Sequence, residues 1–165
     1  MKNIILIGMP GVGKSTLGVI LAKLIGYRFI DSDIVIQDEC GMLLKNIIEK
    51  EGVDGFIATE NRICASINAN SSVIATGGSA VYGKDAMAHF RSIGTVVYLD
   101  QSFDVIEKRL SDIKGRGVVL RNGQTLYDLY LERDPLYREN AHVICKMTCG
   151  SVEENVAAVM KALNV

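Results

Sequence analysis

The sequence contains no tryptophan, and its two prolines are Pro10 and Pro135. With so little proline, and no Ser-rich, low-complexity or repeated tract, it offers no linker at which to divide the chain. Long hydrophobic runs are missing too: the apolar stretches are strand-sized and interrupted, which excludes a bilayer-spanning helix. The four cysteines, Cys40, Cys64, Cys145 and Cys149, include no CxxC pair, and His89 and His142 stand alone. That pattern argues against zinc and for reduced thiols in a cytoplasmic protein. Charge of one sign is also lacking, because the formal net charge is −1. No global field attracts nucleic acid or an anionic membrane, so any phosphate binding must come from a local cluster. Met1-Lys2-Asn3 runs directly into Ile4–Ile7 and Gly8, too short an apolar run for a secretory leader.

What is present suits one α/β domain over residues 1–165, with 48% apolar and 22% charged residues. Apolar runs alternate with helix-like segments, the pattern of a parallel sheet covered on both faces. Strands are expected at Ile4–Ile7, Arg28–Ile30, Ser72–Ala75, Thr95–Leu99 and His142–Lys146. A helix over Ser15–Ile25 would bury Leu17, Ile20, Leu21 and Leu24 on one stripe and end at Gly26. Further helices are expected at Ile34–Cys40, Leu43–Lys50, Gly55–Ala69, Lys84–Arg91, Phe103–Leu110, Thr125–Glu139 and Val152–Leu163. Ser111–Gln124 breaks periodicity and carries Lys114, Arg116 and Arg121 among three glycines. So long a connection in a small domain reads as a functional lid. Tyr127, Tyr130 and Tyr137 recur at helical spacing, which packing alone explains.

Gly8-Met9-Pro10-Gly11-Val12-Gly13-Lys14-Ser15-Thr16 matches G-x-x-x-x-G-K-[ST] in full, between a strand and a helix. Glycines let backbone N–H groups converge on phosphate oxygens, and the helix N-terminus adds its own donors and positive dipole end. In such a loop Lys14 reaches the β- and γ-phosphates and the Ser15 hydroxyl ligates Mg²⁺, with Gly11, Val12, Gly13 and Thr16 completing the cradle. Asp31 and Asp33 follow the second strand at a spacing of two, which on extended chain puts both carboxylates on one side. One could serve Mg²⁺ and the other an attacking hydroxyl, although a helix cap would account for one of them. Gly77 and Gly78 follow the third strand and allow backbone to approach a ligand.

Together these residues resemble the shikimate kinase family over nearly the whole chain: the P-loop, Asp31-Ser32-Asp33, Gly77-Gly78, the lid at Lys114–Leu120, and Arg133-Asp134-Pro135-Leu136-Tyr137. The resemblance implies a P-loop fold of the nucleoside-monophosphate-kinase type, with a five-stranded parallel sheet of order 2-3-1-4-5. It implies transfer from ATP, with Mg²⁺, to the 3-hydroxyl of shikimate, a step toward chorismate and the aromatic amino acids. By position, Asp31 would lie near Mg²⁺, and Asp33 would bind the acceptor and serve as base. Glu60 stands at the acidic position of the acceptor helices, about 33–62. Gly77 and Gly78 would present backbone to the acceptor, and Arg133 would bind its carboxylate. Arg109 would lie over adenine, and Arg116 in the lid would reach the phosphates. A monomer working on small molecules in the cytoplasm is the expectation.

Three positions depart from the family's pattern. Phe56-Ile57-Ala58-Thr59-Glu60 has Ile57 where the family has an arginine that pairs with the acceptor carboxylate. Arg62 lies about 140° around the helix from position 57 and should face away from the pocket. Losing one charged hydrogen bond costs about 1.5–3 kcal/mol. Ser79 replaces a third glycine, where it could simply tighten a turn, and Gly117 replaces a lid proline, which should loosen the lid. These changes leave two alternatives: a related kinase with a different hydroxylated acceptor, and a nucleotide-binding module without turnover.

Overall fold

The first strand, β1 (Asn3–Ile7), is buried along its whole length because it lies at the centre of the sheet. A computed structural model of the chain describes residues 2–111 and 120–165. After β1 come α1 (Lys14–Ile25), β2 (Arg28–Asp31), α2 (Ser32–Cys40), α3 (Leu44–Ser66) and β3 (Ser72–Ala75). A short 3₁₀ turn at Ala80–Tyr82 precedes α4 (Lys84–Ile93), β4 (Gly94–Asp100), α5 (Phe103–Ser111), α6 (Leu126–Asn140), β5 (Val143–Lys146) and α7 (Val152–Leu163). All four strand pairings are parallel and the order is β2-β3-β1-β4-β5, as the resemblance implied.

Alternation along β1 sorts the two cores. Ile5 and Ile7 join Ile74, Val96 and Tyr98 beneath α3, α4 and α6. Ile4 and Leu6 join Val73, Val97 and Leu99 beneath α1 and α7. Buried Asn3 ties the amino edge of the sheet. Its Nδ2 donates to the carbonyls of Ala69 (2.8 Å) and Ile93 (3.1 Å), and its Oδ1 accepts from the Ser72 N–H. A fully satisfied amide of this kind fixes where the strands begin without leaving a polar group stranded.

One expectation about a helix needs correction. Leu24 was expected on the buried stripe of α1 but is 61% exposed. The helix turns a different face inward: Leu17, Gly18, Leu21 and Ala22 are buried, and Gly18 lets it approach so closely that an added Cβ would meet Phe29 at 2.7 Å. Leu24 then lies about 90° from the middle of the buried face. The two helical segments expected at Leu43–Lys50 and Gly55–Ala69 are both present, as the parts of α3 on either side of a break at Gly52 (φ 72°, ψ 177°). A left-handed φ there is what glycine permits. The break lets the first part of α3 cover the cleft while the second part packs on α4.

Candidate active site

Every βα connection that matters opens at the carboxyl edge of the sheet, where an open parallel sheet leaves its crevice. One cleft of about 770 Å³ lies there. Its walls include Gly11–Thr16, Asp31, Asp33, Phe56, Glu60, Gly77, Gly78, Arg109 and Arg133. Every site residue singled out from the sequence therefore lines one space except Arg116, which with Lys114 and Gly117 lies outside the described residues.

At one end is the phosphate cradle. Gly11 and Gly13 hold φ of 80° and 104°, which non-glycine residues rarely adopt. Gly13 is the N-cap of α1 and supplies no side chain, so the first turn of α1 presents its N–H groups to the loop. Lys14 is 8% exposed, and its Nζ donates to the carbonyls of Gly8 (2.7 Å) and Met9 (2.9 Å). Arg109, on α5, donates through Nη1 to the carbonyls of Val12 (3.1 Å) and Gly11 (3.4 Å), across the outer side of the loop. The same end of the cleft is walled by Met147, Gly150, Val152 and Asn155, which belong to no motif in the sequence. Their signal was available, since the turn after β5 also opens at the carboxyl edge.

Ser15 Oγ donates to Asp31 Oδ2 at 2.7 Å, joining the cradle to the end of β2. Asp31 is also the N-cap of α2, accepting the Asp33 N–H through Oδ1 at 3.0 Å. The cap and the functional placement are thus one side chain with two oxygens in use. Extended chain does not place the pair, contrary to expectation. Asp33 is already helical, so it is the cap turn, and not extended chain, that brings both carboxylates to the cleft. Two hard oxygen donors beside a phosphate cradle fit Mg²⁺, which keeps several waters and completes its shell with phosphate oxygens. Among the described residues no cluster of three or more His, Cys, Asp or Glu forms a self-sufficient metal cage.

At the other end lie Asp33, Glu60, Arg133 and the turn after β3. Thr76 Oγ1 donates to the Leu6 carbonyl, and the Gly77 N–H donates to Ser32 Oγ, which anchors that turn to both neighbouring elements. Arg133 is 1% exposed. Its Nε donates to the Tyr82 hydroxyl at 3.2 Å, its guanidinium lies 5.1 Å from the centre of the Tyr82 ring, and Tyr82 donates in turn to Glu132. A Cβ at Gly78 would sit 3.0 Å from Arg133 Nη1, so only glycine lets this cation approach the turn without displacement. Tyr137, read from the sequence as packing, is fully buried and donates to the Gly78 carbonyl at 2.6 Å. Its hydroxyl fixes the glycine turn.

Ser79 also does more than tighten a turn. It is 4% exposed and donates to Glu60 Oε2 at 2.5 Å. Glu60 is 1% exposed, and desolvation pushes its carboxyl up to about 7, with Ser79 opposing and Asp33 adding to the rise. On α3 the cleft wall takes Phe56 and Glu60 but not Ile57, while exposed Arg62 pairs with Glu39 at 2.6 Å. At the lid's described end, Arg121 pairs with Asp54 of α3 at 2.8 Å.

Comparison with known proteins places this arrangement. The shikimate kinase family model matches residues 10–164. A shikimate kinase 2 of Yersinia enterocolitica is 34% identical over 156 residues, covering 89% of this chain and 87% of that protein. A shikimate kinase of Nitrosomonas europaea is 43% identical over 146 residues, covering 86% and 69%. Among solved structures, shikimate kinase from Acinetobacter baumannii in complex with shikimate superposes with a TM-score of 0.89 at 33% identity, covering 99% of this chain and 93% of that one. With the P-loop, the sheet order and the cleft in agreement, the chain belongs to the shikimate kinase family.

Proposed function

We propose that this protein transfers the terminal phosphate of ATP to the 3-hydroxyl of shikimate, giving shikimate 3-phosphate and ADP. The observation that carries the reading is the continuity of the cleft: a phosphate cradle and a hydroxy-acid pocket share one space. Phosphoryl transfer asks little covalent chemistry of a protein and much positioning and charge stabilisation. The α1 N-terminus and Lys14 hold the phosphates, and Lys14 leaves its two loop carbonyls to meet them. The base of the nucleotide lies between Arg109 and the wall from Met147 to Asn155. ATP with Mg²⁺ is the family's donor. Ser15 and Asp31 would hold the ion, which when bound neutralises charge on the phosphate oxygens.

On the acceptor side, Asp33 orients the hydroxyl and takes its proton as the bond to phosphorus forms. Arg133 binds the acceptor carboxylate, assisted by backbone from Gly77 and Gly78. Arg116, which the family resemblance assigns to the phosphates, lies outside the described residues. Reduced thiols, and no membrane-crossing helix among the described residues, support a cytoplasmic enzyme.

One observation favours a second reading. Ile57 removes a cation that an anionic acceptor would use, which suits a related kinase with a different hydroxylated acceptor. Steady-state assays with shikimate beside neutral polyols and other hydroxy acids separate the two. Shikimate should have by far the highest kcat/KM, and the product should carry phosphate on the 3-oxygen by phosphorus–proton correlation. A polyol preferred over shikimate overturns the assignment.

A further inference from the structure

Glu60 is buried beneath the acceptor pocket in an environment that treats its two oxygens differently. Oε2 accepts the Ser79 hydroxyl. Oε1 is, among the described residues, the one fully buried side-chain oxygen or nitrogen without a hydrogen-bond partner. Its location is marked by Gly77. A Cβ added there would lie 2.8 Å from Asp33 Oδ1 and closer still to Glu60 Oε1, so both oxygens flank the same point. A second carboxylate so near disfavours the charged form of Glu60 and adds to the larger cost of its burial. A buried carboxylate oxygen with no donor carries a further cost, and a proton on it removes both costs at once.

We propose that Glu60 is a positioning residue that works as a neutral carboxyl: Oε1 carries a proton and donates it toward Asp33 Oδ1, while Ser79 holds Oε2. The hydrogen bond fixes the rotamer of Asp33, the residue proposed to take the acceptor proton. The proton on Glu60 stays in place through the transfer. Ser79 is therefore a working part of the site, since without its hydroxyl the carboxyl has nothing to set which oxygen faces Asp33. Ile57 is consistent with this state, because a guanidinium at that point of α3 would favour the charged carboxylate. The proposal rests on the kinase reading only where it assigns Asp33 to the acceptor.

The charged and titratable groups around Glu60 come from four elements. Asp33 of α2 favours the neutral form, and Lys14 of α1 and Arg133 of α6 favour the charged one. The Cys64 thiol, one turn along α3, and the buried Tyr137 hydroxyl of α6 have their own ionisation pushed up by burial, and both stay neutral at physiological pH. Burial outweighs the two cations, which places the Glu60 transition at about 7.

The test is the pH profile of shikimate phosphorylation in the parent, Glu60→Gln, Glu60→Ala and Ser79→Ala, with carboxyl infrared difference spectra of the same proteins. In the parent, kcat should fall by up to about tenfold per pH unit above the Glu60 transition. Glutamine copies the neutral form, with an amide N–H toward Asp33 and an oxygen for Ser79. Glu60→Gln should therefore lack that alkaline limb and outpace the parent there, while Glu60→Ala loses about tenfold or more throughout. Ser79→Ala should move the transition upward, because it removes a donor that favours the carboxylate. The spectra should show a protonated-carboxyl band that vanishes through neutral pH and is absent from Glu60→Gln. A Glu60→Gln profile parallel to the parent's, or no such band below neutral pH, overturns the proposal. If shikimate is not turned over, the kinase reading fails while the band and its shift in Ser79→Ala still decide the state of Glu60.

Discussion

Lys14 and Gly77 bracket the cleft, and each has a physical task that no other residue type performs there. Lys14 is a compact ammonium on a buried stem, with loop carbonyls that it can exchange for phosphate oxygens. Replacing it by alanine removes the positive charge where negative charge is held in the transition state. Such losses cost on the order of 10²–10³ in kcat, so coupled ADP-release kinetics of Lys14→Ala should fall by at least that much. Gly77 lies against two carboxyl oxygens, those of Asp33 and Glu60, and even the methyl group of alanine would collide with both. Gly77→Ala should lower kcat/KM for shikimate by about tenfold or more while leaving the KM for ATP close to the parent's. An equal rise in both constants would show that the turn, and not the acceptor pocket, had been damaged.

The residue scale also shows what could be read from sequence and what could not. The cradle was legible because all its parts lie within nine consecutive positions whose order is dictated by phosphate geometry. The acceptor half was legible only as candidates. Ser79 meets Glu60 across 19 positions and Tyr137 meets Gly78 across 59, and no local periodicity records such pairs. Leu24 illustrates the same gap in packing. The stripe on α1 was read from large apolar residues, whereas small Gly18 and Ala22 decide which face approaches the sheet.

Among the elements, α6 has the most exacting placement, since Arg133 points from it into the cleft while its next residue grips the sheet. Asp134 accepts the Tyr98 hydroxyl of β4 at 2.7 Å and pairs with Arg138 one turn on, which also reaches Asp100 at the end of β4. Burial works against the Asp134 carboxylate, yet the hydrogen bonds from Arg138 and Tyr98 hold it below the usual carboxylate range. Its stabilising contribution is therefore present at neutral pH and is lost as pH falls through that lowered value. Asp134→Ala would leave the 1%-exposed Tyr98 hydroxyl without this acceptor. A destabilisation of about 1–3 kcal/mol is expected, measurable as a lower urea midpoint with an unchanged slope. Pairing of α3 with the lid's described end through exposed Arg121 and Asp54 should contribute little by comparison.

For the molecule as a whole, a net charge of −1 leaves anion binding to local clusters, and the proposed site sets Lys14, Arg109 and Arg133 in one cleft. Stability should carry the mark of Glu60. Its carboxyl is raised from the ordinary value of 4.5 to about 7 on folding, so the folded chain holds a proton that the unfolded chain releases. Folding free energy should decline as pH rises across that interval, by up to about 3 kcal/mol, and level off above it. Denaturant titrations of the parent and Glu60→Gln should diverge over the same interval.

In the proposed reaction one cleft joins a nucleotide to a hydroxy acid, and ADP release with and without shikimate, at saturating ATP and magnesium, tests that directly. Release should depend on shikimate, match its consumption one for one, and disappear in Lys14→Ala. Release at the same rate whether or not shikimate is present would contradict it.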